Sequence, residues 1–192
     1  ASHAEILLLD EPFSALDSHL KWQLELELAD IFKHYGAAVL VSHDRGEVYR
    51  LADKIAVMHS GVITTLDTKK SVFAHPTTLA ATVLTGCKNI SPARKIADNK
   101  LYAEDWQLEL TAPDVPDRLK FIGIRSHDLQ LVNAEVNSFP MHADRIIEDT
   151  FAFIVMARAE GKALRLELDK SRRCAQDFYV HFPPDKIILL ED

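Results

Sequence analysis

The 192-residue sequence is poor in several things, and each shortage narrows what the protein can be. Its two cysteines, Cys87 and Cys174, stand far apart and in no C-x-x-C pair, so it offers neither a disulfide framework nor a cysteine zinc site, and a reducing, cytoplasmic setting fits. The nine histidines form no H-x-x-x-H or H-E-x-x-H spacing, which removes the helical zinc-hydrolase pattern. Cations are outnumbered, 22 Lys and Arg against 29 Asp and Glu for a formal net charge of -7, and this excludes nucleic-acid binding as the main business. No apolar run approaches the roughly 20 residues that span a bilayer, and the N-terminus lacks a charged-then-apolar signal pattern. Membrane association is therefore expected to run through a partner. Ser14 and Ser42 lie in no G-x-S-x-G elbow, which sets aside a serine hydrolase. None of the six glycines belongs to a G-x-x-x-x-G-K-[ST] loop, so the phosphate-cradling element is missing from the sequence.

What is present begins with Ile6-Leu7-Leu8-Leu9-Asp10-Glu11-Pro12. Four consecutive branched apolar residues predict a short strand buried on both faces. Its C-terminal end delivers Asp10 and Glu11 to the edge of an α/β sheet where ligands sit. From Ser18 to Tyr35 the residues Leu20, Leu24, Leu28, Ile31, Phe32 and Tyr35 recur at helical steps, with Gly36 as C-cap. Leu24 to Leu28 alternates as a strand would, but the longer window favours a helix. Ala37 to Val41 is a second buried strand, ending in Ser42-His43-Asp44. Strand, helix and strand make a right-handed crossover in a parallel sheet, and the crossover brings Asp10, Glu11 and His43 to one edge. A short helix follows over Arg45 to Ala52. Lys54 to Met58 then turns at Ser60-Gly61 into Val62 to Leu66, and helices are expected over Asp67 to Phe73 and Thr78 to Leu84.

After Gly86 strand-like pieces arrive every ten or so residues, from Lys100 to Ala103 through Lys186 to Leu190, the pattern of a small barrel or sandwich. The expected domains are residues 1–86 and 87–192. A weak internal echo runs through the second: Phe121 to Leu131 matches Phe178 to Leu190, and Trp106 to Leu110 matches Leu164 to Leu168. Two tandem β units would explain both, and so would chance among amphipathic strands. Lys88, Asn89, Ser91, Arg94 and Lys95 form a polar, basic cluster just after the boundary, either a solvated linker or a set of anion donors. Trp22 and Trp106 read as packing residues, and His127 and His142 as surface residues.

The first half resembles the C-terminal part of an ATP-binding cassette (ABC) transporter ATPase. ILLLDEP is similar to the Walker B strand with its glutamate, Ser14-Ala15-Leu16-Asp17 to the D-loop, and Val41-Ser42-His43-Asp44 to the switch-histidine loop. The resemblance implies a partial P-loop NTPase fold, with ATP and Mg²⁺ as cofactors. It assigns Asp10 to the Mg²⁺ shell, Glu11 to polarising the attacking water, His43 to the γ-phosphate, and Asp17 to the interface with a second ATPase subunit in a homodimer. The partners implied are transmembrane permease subunits, at the cytoplasmic face of the membrane. The family's Walker A, glutamine-loop and LSGGQ-like elements precede Walker B and do not occur here. The sequence is thus expected to be the back end of a longer protein, inactive alone.

The second half resembles, through Gly123-Ile124-Arg125-Ser126-His127-Asp128 and Phe182-Pro183-Pro184-Asp185-Lys186-Ile187, the OB/TOBE-like regulatory domain of molybdate- and sulfate-type importers. Ser126 stands where that family has proline, and His127 where it has an acid. The implied function is the energy-coupling ATPase of an ABC importer, for an inorganic oxyanion such as molybdate or sulfate, or for a sugar or polyamine. The alternative is a non-enzymatic regulatory, dimerising or oxyanion-binding module.

Overall fold

The structure, a computed structural model, describes residues 6–35, 37–172 and 175–192; the expected helix cap Gly36 and Cys174 lie outside the described residues. The chain divides into two compact units, Ala1–Ala74 and His75–Asp192. This division falls ahead of Gly86.

In the first unit β1 (Ile6–Asp10) and β2 (Ala37–Val41) pair in parallel, in register from Ile6 opposite Ala37 to Asp10 opposite Val41. Between them runs α1 (Ser18–Phe32), whose N-terminus is capped by Asp17. Asp44 caps α2 (Arg45–Leu51) in the same way. β3 (Lys54–His59) and β4 (Val62–Thr68) form a separate antiparallel hairpin. Its tip places Ser60 and Gly61 at positive φ, the left-handed geometry of a tight hairpin turn. The helix α3 (Lys69–Ala74) closes the unit.

One expectation fails here. β1 is not buried on both faces: Ile6 is 56% and Leu8 71% exposed. The apolar face of α1 is likewise only partly covered, and its one buried residue is Glu25. A two-stranded sheet has too little area to enclose a strand from both sides, so the apolar run builds the strand without burying it. Trp22, expected to pack, is also exposed and lies under the Arg50 guanidinium, 5.4 Å from the ring centroid.

The second unit opens with α4 (Leu79–Leu84), capped at its start by Thr78. At its end Gly86 takes φ 97° and Cys87 N–H donates to Thr82 O at 3.1 Å, a left-handed stop suited to glycine. Arg125 donates to Thr85 O at 2.9 Å, a cation on the helix's last carbonyls. Nine strands follow among the described residues: β5 (Asn89–Ala97), β6 (Lys100–Ala103), β7 (Leu108–Thr111), β8 (Phe121–Ile124), β9 (Ser138–Glu148), β10 (Ala152–Arg158), β11 (Leu164–Asp169), β12 (Asp177–His181) and β13 (Ile188–Leu190).

They form two antiparallel sheets, β13-β8-β5-β6-β7 and β11-β10-β9-β12, sharing one core that includes Leu101, Leu110, Ile122, Leu166, Val180 and Phe182. Within each sheet four strands follow one order, third-second-first-fourth, as β7-β6-β5-β8 and β11-β10-β9-β12. The segments that echo each other in sequence occupy equivalent places in this order. The halves also interlock. β13 pairs with β8, and Gln130 bridges to His181 of β12.

Two buried asparagines repeat the pattern. Asn89 accepts from Arg165 N–H at 2.7 Å and donates to Arg165 O at 2.8 Å. Asn137 does the same with Thr111, both at 2.7 Å. Each amide satisfies a donor and an acceptor on a strand of the other sheet, where an unmet backbone group would be costly.

Candidate active site

The parallel register brings the ends of β1 and β2 side by side, and Glu11 N–H donates to Val41 O at 2.9 Å. Glu11 follows β1 and His43 lies two residues past β2, so their side chains meet: His43 Nδ1 is 2.6 Å from Glu11 Oε1. Glu11 itself sits at φ 47°, a left-handed conformation uncommon for a residue with a Cβ and typical of positions where geometry is imposed by the surroundings. Its carbonyl accepts from Ser14 Oγ at 3.0 Å and from Ser14 N–H at 3.2 Å, which holds the turn from β1 toward α1.

Asp10 is exposed at the strand end. Asp17 is used locally: its Oδ1 accepts from His19 and Leu20 N–H, each at 3.0 Å. Of the four ATPase-half residues chosen from sequence, the structure joins Glu11 to His43 directly, sets Asp10 next to Glu11, and gives Asp17 the role of helix cap.

The Glu11 hydrogen bond, with the charge of the carboxylate behind it, raises the His43 pKa above its ordinary value. The unfolded imidazole titrates near ~6.5. The pair's contribution to folding is therefore complete below that pH and is lost as pH rises through the higher folded value. NMR titration of the His43 ring is expected to give a midpoint above the ordinary histidine range, returning to it in Glu11→Gln. An unshifted midpoint in the native chain contradicts the contact.

Sequence reading missed the groups that flank His43. Lys21, on α1, lies 2.8 Å from Asp44 Oδ2 and 2.5 Å from Glu47 Oε1. Glu47 also accepts from the Ser42 hydroxyl, and Asp44 N–H donates to Ser42 Oγ at 3.0 Å. One turn further along α1, the buried Glu25 takes two hydrogen bonds from Arg50, at 2.5 and 2.8 Å. The Lys21 ammonium holds the Asp44 carboxyl down to about 2, while Asp44 and then Glu47 raise Lys21. Stability from the Asp44 side is thus present above the ordinary carboxylate range and lost as pH falls toward about 2. A signal was available: Lys21 and Glu25 are four apart on α1, while Glu47 and Arg50 are three apart on α2 with opposite signs in complementary order.

The basic cluster of the second unit resolves differently. Lys88 is exposed, and Asn89, Ser91, Arg94 and Lys95 all lie in β5, a strand the sequence reading treated as a linker or ligand loop. Asn89 is committed to Arg165. Ser91 Oγ donates to Pro92 O at 2.8 Å and accepts from Asp105 N–H at 2.9 Å. Lys95 reaches Asp117 at 2.7 Å, and Arg94 lies over Tyr102 at 5.2 Å. Alternation along the strand sends Asn89 and Ser91 inward and Arg94 outward, so these side chains do not converge. An open groove of about 340 Å³ in this unit is lined by Met141, His142, Arg158, Asp177 and Tyr179, among others. Its basic side chains already have partners, His142 with Asp177 at 2.8 Å and Arg158 with Asp144 at 3.1 Å.

No protein-family model matches the chain. Curated proteins do. A Fe(3+) ions import ATP-binding protein, FbpC, of Haemophilus influenzae (strain 86-028NP) is 40% identical over 138 residues, 71% of this chain and 39% of that protein. The sulfate/thiosulfate import ATP-binding protein CysA of Mesorhizobium japonicum is 28% identical over 189 residues, 97% of this chain and 54% of its own length. The chain is similar over most of its length to the ATP-binding subunits of importers. A spermidine/putrescine import ATP-binding protein, PotA, of Mycoplasmopsis synoviae is 27% identical across 97% of this chain and 42% of that protein. The chain spans between about two fifths and about half of the length of these relatives. A solved structure of the cytoplasmic molybdate-binding protein ModG overlaps 54% of this chain at TM-score 0.39 and 9% identity, a likeness too slight to build on. Among the described residues no helix is long and apolar enough to cross a membrane.

Proposed function

We propose that this importer-family chain is the back part of an ATP-hydrolysing, energy-coupling subunit, with the water-activating half of the hydrolytic site at the paired ends of β1 and β2. The observation that carries this reading is the 2.6 Å contact between Glu11 and His43. Phosphoryl transfer to water needs a group that orients and deprotonates the nucleophile and a donor at the transferred phosphate. Glu11, an acceptor with its second oxygen available for a water, suits the first task. His43, held by Glu11 through Nδ1 and presenting an exposed ring, suits the second through its other nitrogen.

Among the described residues no group of three or more His, Cys, Asp or Glu stands ready to hold a metal ion. Mg²⁺ asks less of a protein, one or two carboxylates with water and phosphate oxygens completing the shell. The exposed Asp10 carboxylate, one residue from Glu11, fits that part. Bound there, Mg²⁺ supplies charge neutralisation at the phosphates. Asp17 is assigned to the interface with a second subunit of the same kind, and permease subunits at the cytoplasmic membrane face are the remaining partners.

The cargo assigned first is an inorganic oxyanion of the sulfate or molybdate class, supported by the sulfate relative that aligns across both units. A ferric-ion cargo is the second reading, favoured by the 40% identity of the iron-import relative. Calorimetry of the 192-residue chain with Mg-ATP is expected to show no micromolar binding, because the sequence carries no phosphate-cradling loop; micromolar affinity contradicts this division of labour. Titrating the same chain with molybdate, tungstate and sulfate tests an oxyanion site in the second unit, and flat thermograms for all three leave that unit a structural or dimerising role.

A further inference from the structure

We propose that Lys21 is a positioning residue for His43, tying the histidine loop to the Asp17 end of α1. This rests on the hydrolytic reading above and deepens it.

The His43 ring is largely exposed, so little packing around the ring fixes it, and its placement depends on the backbone of its two neighbours. Both neighbours belong to one cluster. Ser42 donates to Glu47 and accepts from Asp44 N–H. Asp44 accepts from Gly46 and Glu47 N–H at 2.7 and 3.1 Å, fixing the start of α2. The Lys21 ammonium closes the cluster by spanning Asp44 and the nearly fully buried Glu47.

Without that cation two carboxylates would face each other with one of them out of water, a costly arrangement that the Ser42-Asp44 segment would relieve by moving. Lys21 stands one helical turn from Asp17, and its N–H donates to Asp17 O at 2.9 Å. A shift of the Asp17 turn therefore moves the base of Lys21 with it. Two residues assigned by sequence to different tasks, Asp17 at a subunit interface and His43 at the phosphate, are linked through a third that belongs to neither motif. The neighbouring Glu25–Arg50 pair joins the same two helices and makes no hydrogen bond or ion pair to Ser42, His43 or Asp44, acting on Asp44 and Glu47 only through its charge, and so provides an internal control for the direct contact.

The test compares Lys21→Met, Lys21→Arg, Arg50→Met and Glu11→Gln in the complete ATP-binding subunit, measuring kcat and KM for ATP together with thermal stability. NMR of the 192-residue chain follows the contact between the His43 ring and Glu11. Lys21→Met is expected to lower kcat at least about tenfold, the scale of a displaced catalytic group, with KM nearly unchanged and the His43 ring signals shifted toward those of Glu11→Gln. Lys21→Arg restores most of kcat and the native ring signals. Arg50→Met loses stability without the matching loss of kcat.

Equal kcat losses in Lys21→Met and Arg50→Met, each tracking stability, overturn the positioning role. So does a Lys21→Met ring spectrum identical to the native one. Full activity in Glu11→Gln instead overturns the hydrolytic reading itself, whatever Lys21 does, so the two failures are told apart.

Discussion

Phe182→Ala is expected to destabilise the second unit by about 3–5 kcal/mol, the usual cost of removing a fully buried aromatic ring. Phe182 has no exposed surface and follows β12 directly. Its ring meets Trp106 and Phe139 at centroid distances of 5.9 and 5.8 Å, so truncation opens a cavity among aromatic partners that cannot collapse into it. Its backbone is held as well: the N–H donates to Asn137 O at 2.9 Å, and Asn137 Nδ2 donates to Phe182 O at 3.1 Å. The frame that keeps the backbone in place prevents relaxation around the void. Leu8→Ala is the contrasting substitution, because Leu8 is 71% exposed and its loss is expected to cost within about 0.5 kcal/mol. Denaturant unfolding followed by near-ultraviolet circular dichroism separates the two. Midpoints displaced equally by both variants would contradict the full burial of Phe182 and the exposure of Leu8.

Glu11→Gln is expected to slow ATP hydrolysis by the complete subunit by about 10²–10⁴-fold, the range for removing a general base. The amide is nearly the same size and can still occupy the turn after β1, where φ is 47°. What it cannot do is take a proton from water. The loss should therefore fall on the chemical step, with nucleotide binding spared, since the side chain's assigned partner is the nucleophile and the metal-facing role is assigned to the adjacent Asp10.

Much of the candidate site's geometry was legible because it is written in short, local signals. The apolar run Ile6–Leu9 and the run Ala37–Val41 mark two strands, the helical spacing between them fixes a parallel pairing, and that pairing alone carries Glu11 to His43. The second unit's strands were legible through alternation, as in Leu164, Leu166 and Leu168. β5 was not, because Pro92 interrupts its pattern and Arg94 and Lys95, with Lys88 just before it, give the stretch the composition of a linker. Its inward residues before Ala93 are the polar Asn89 and Ser91, whose burial is explained by backbone partners as distant as Arg165.

The burial expected of β1 was misread for a related reason. An apolar run reports that a strand is suited to an interior, while enclosure depends on neighbours that a two-stranded sheet does not provide. The charges of α1 and α2 were hidden in the opposite sense. Glu25 sits in an alternating Leu-Glu stretch that gives no sign of a buried charge, and only the approach of Arg50, 25 positions away in sequence, makes its burial affordable.

The hydrolytic role of the β1–β2 edge is tested most directly by single-turnover hydrolysis in the complete subunit carrying Glu11→Gln, with ATP binding measured on the same sample. The predicted result is binding within a few-fold of the native subunit and a chemical step slower by about 10²–10⁴-fold. A chemical step within about twofold of the native rate would contradict it, because the loss of a proton-accepting group at the reacting water cannot leave that step untouched.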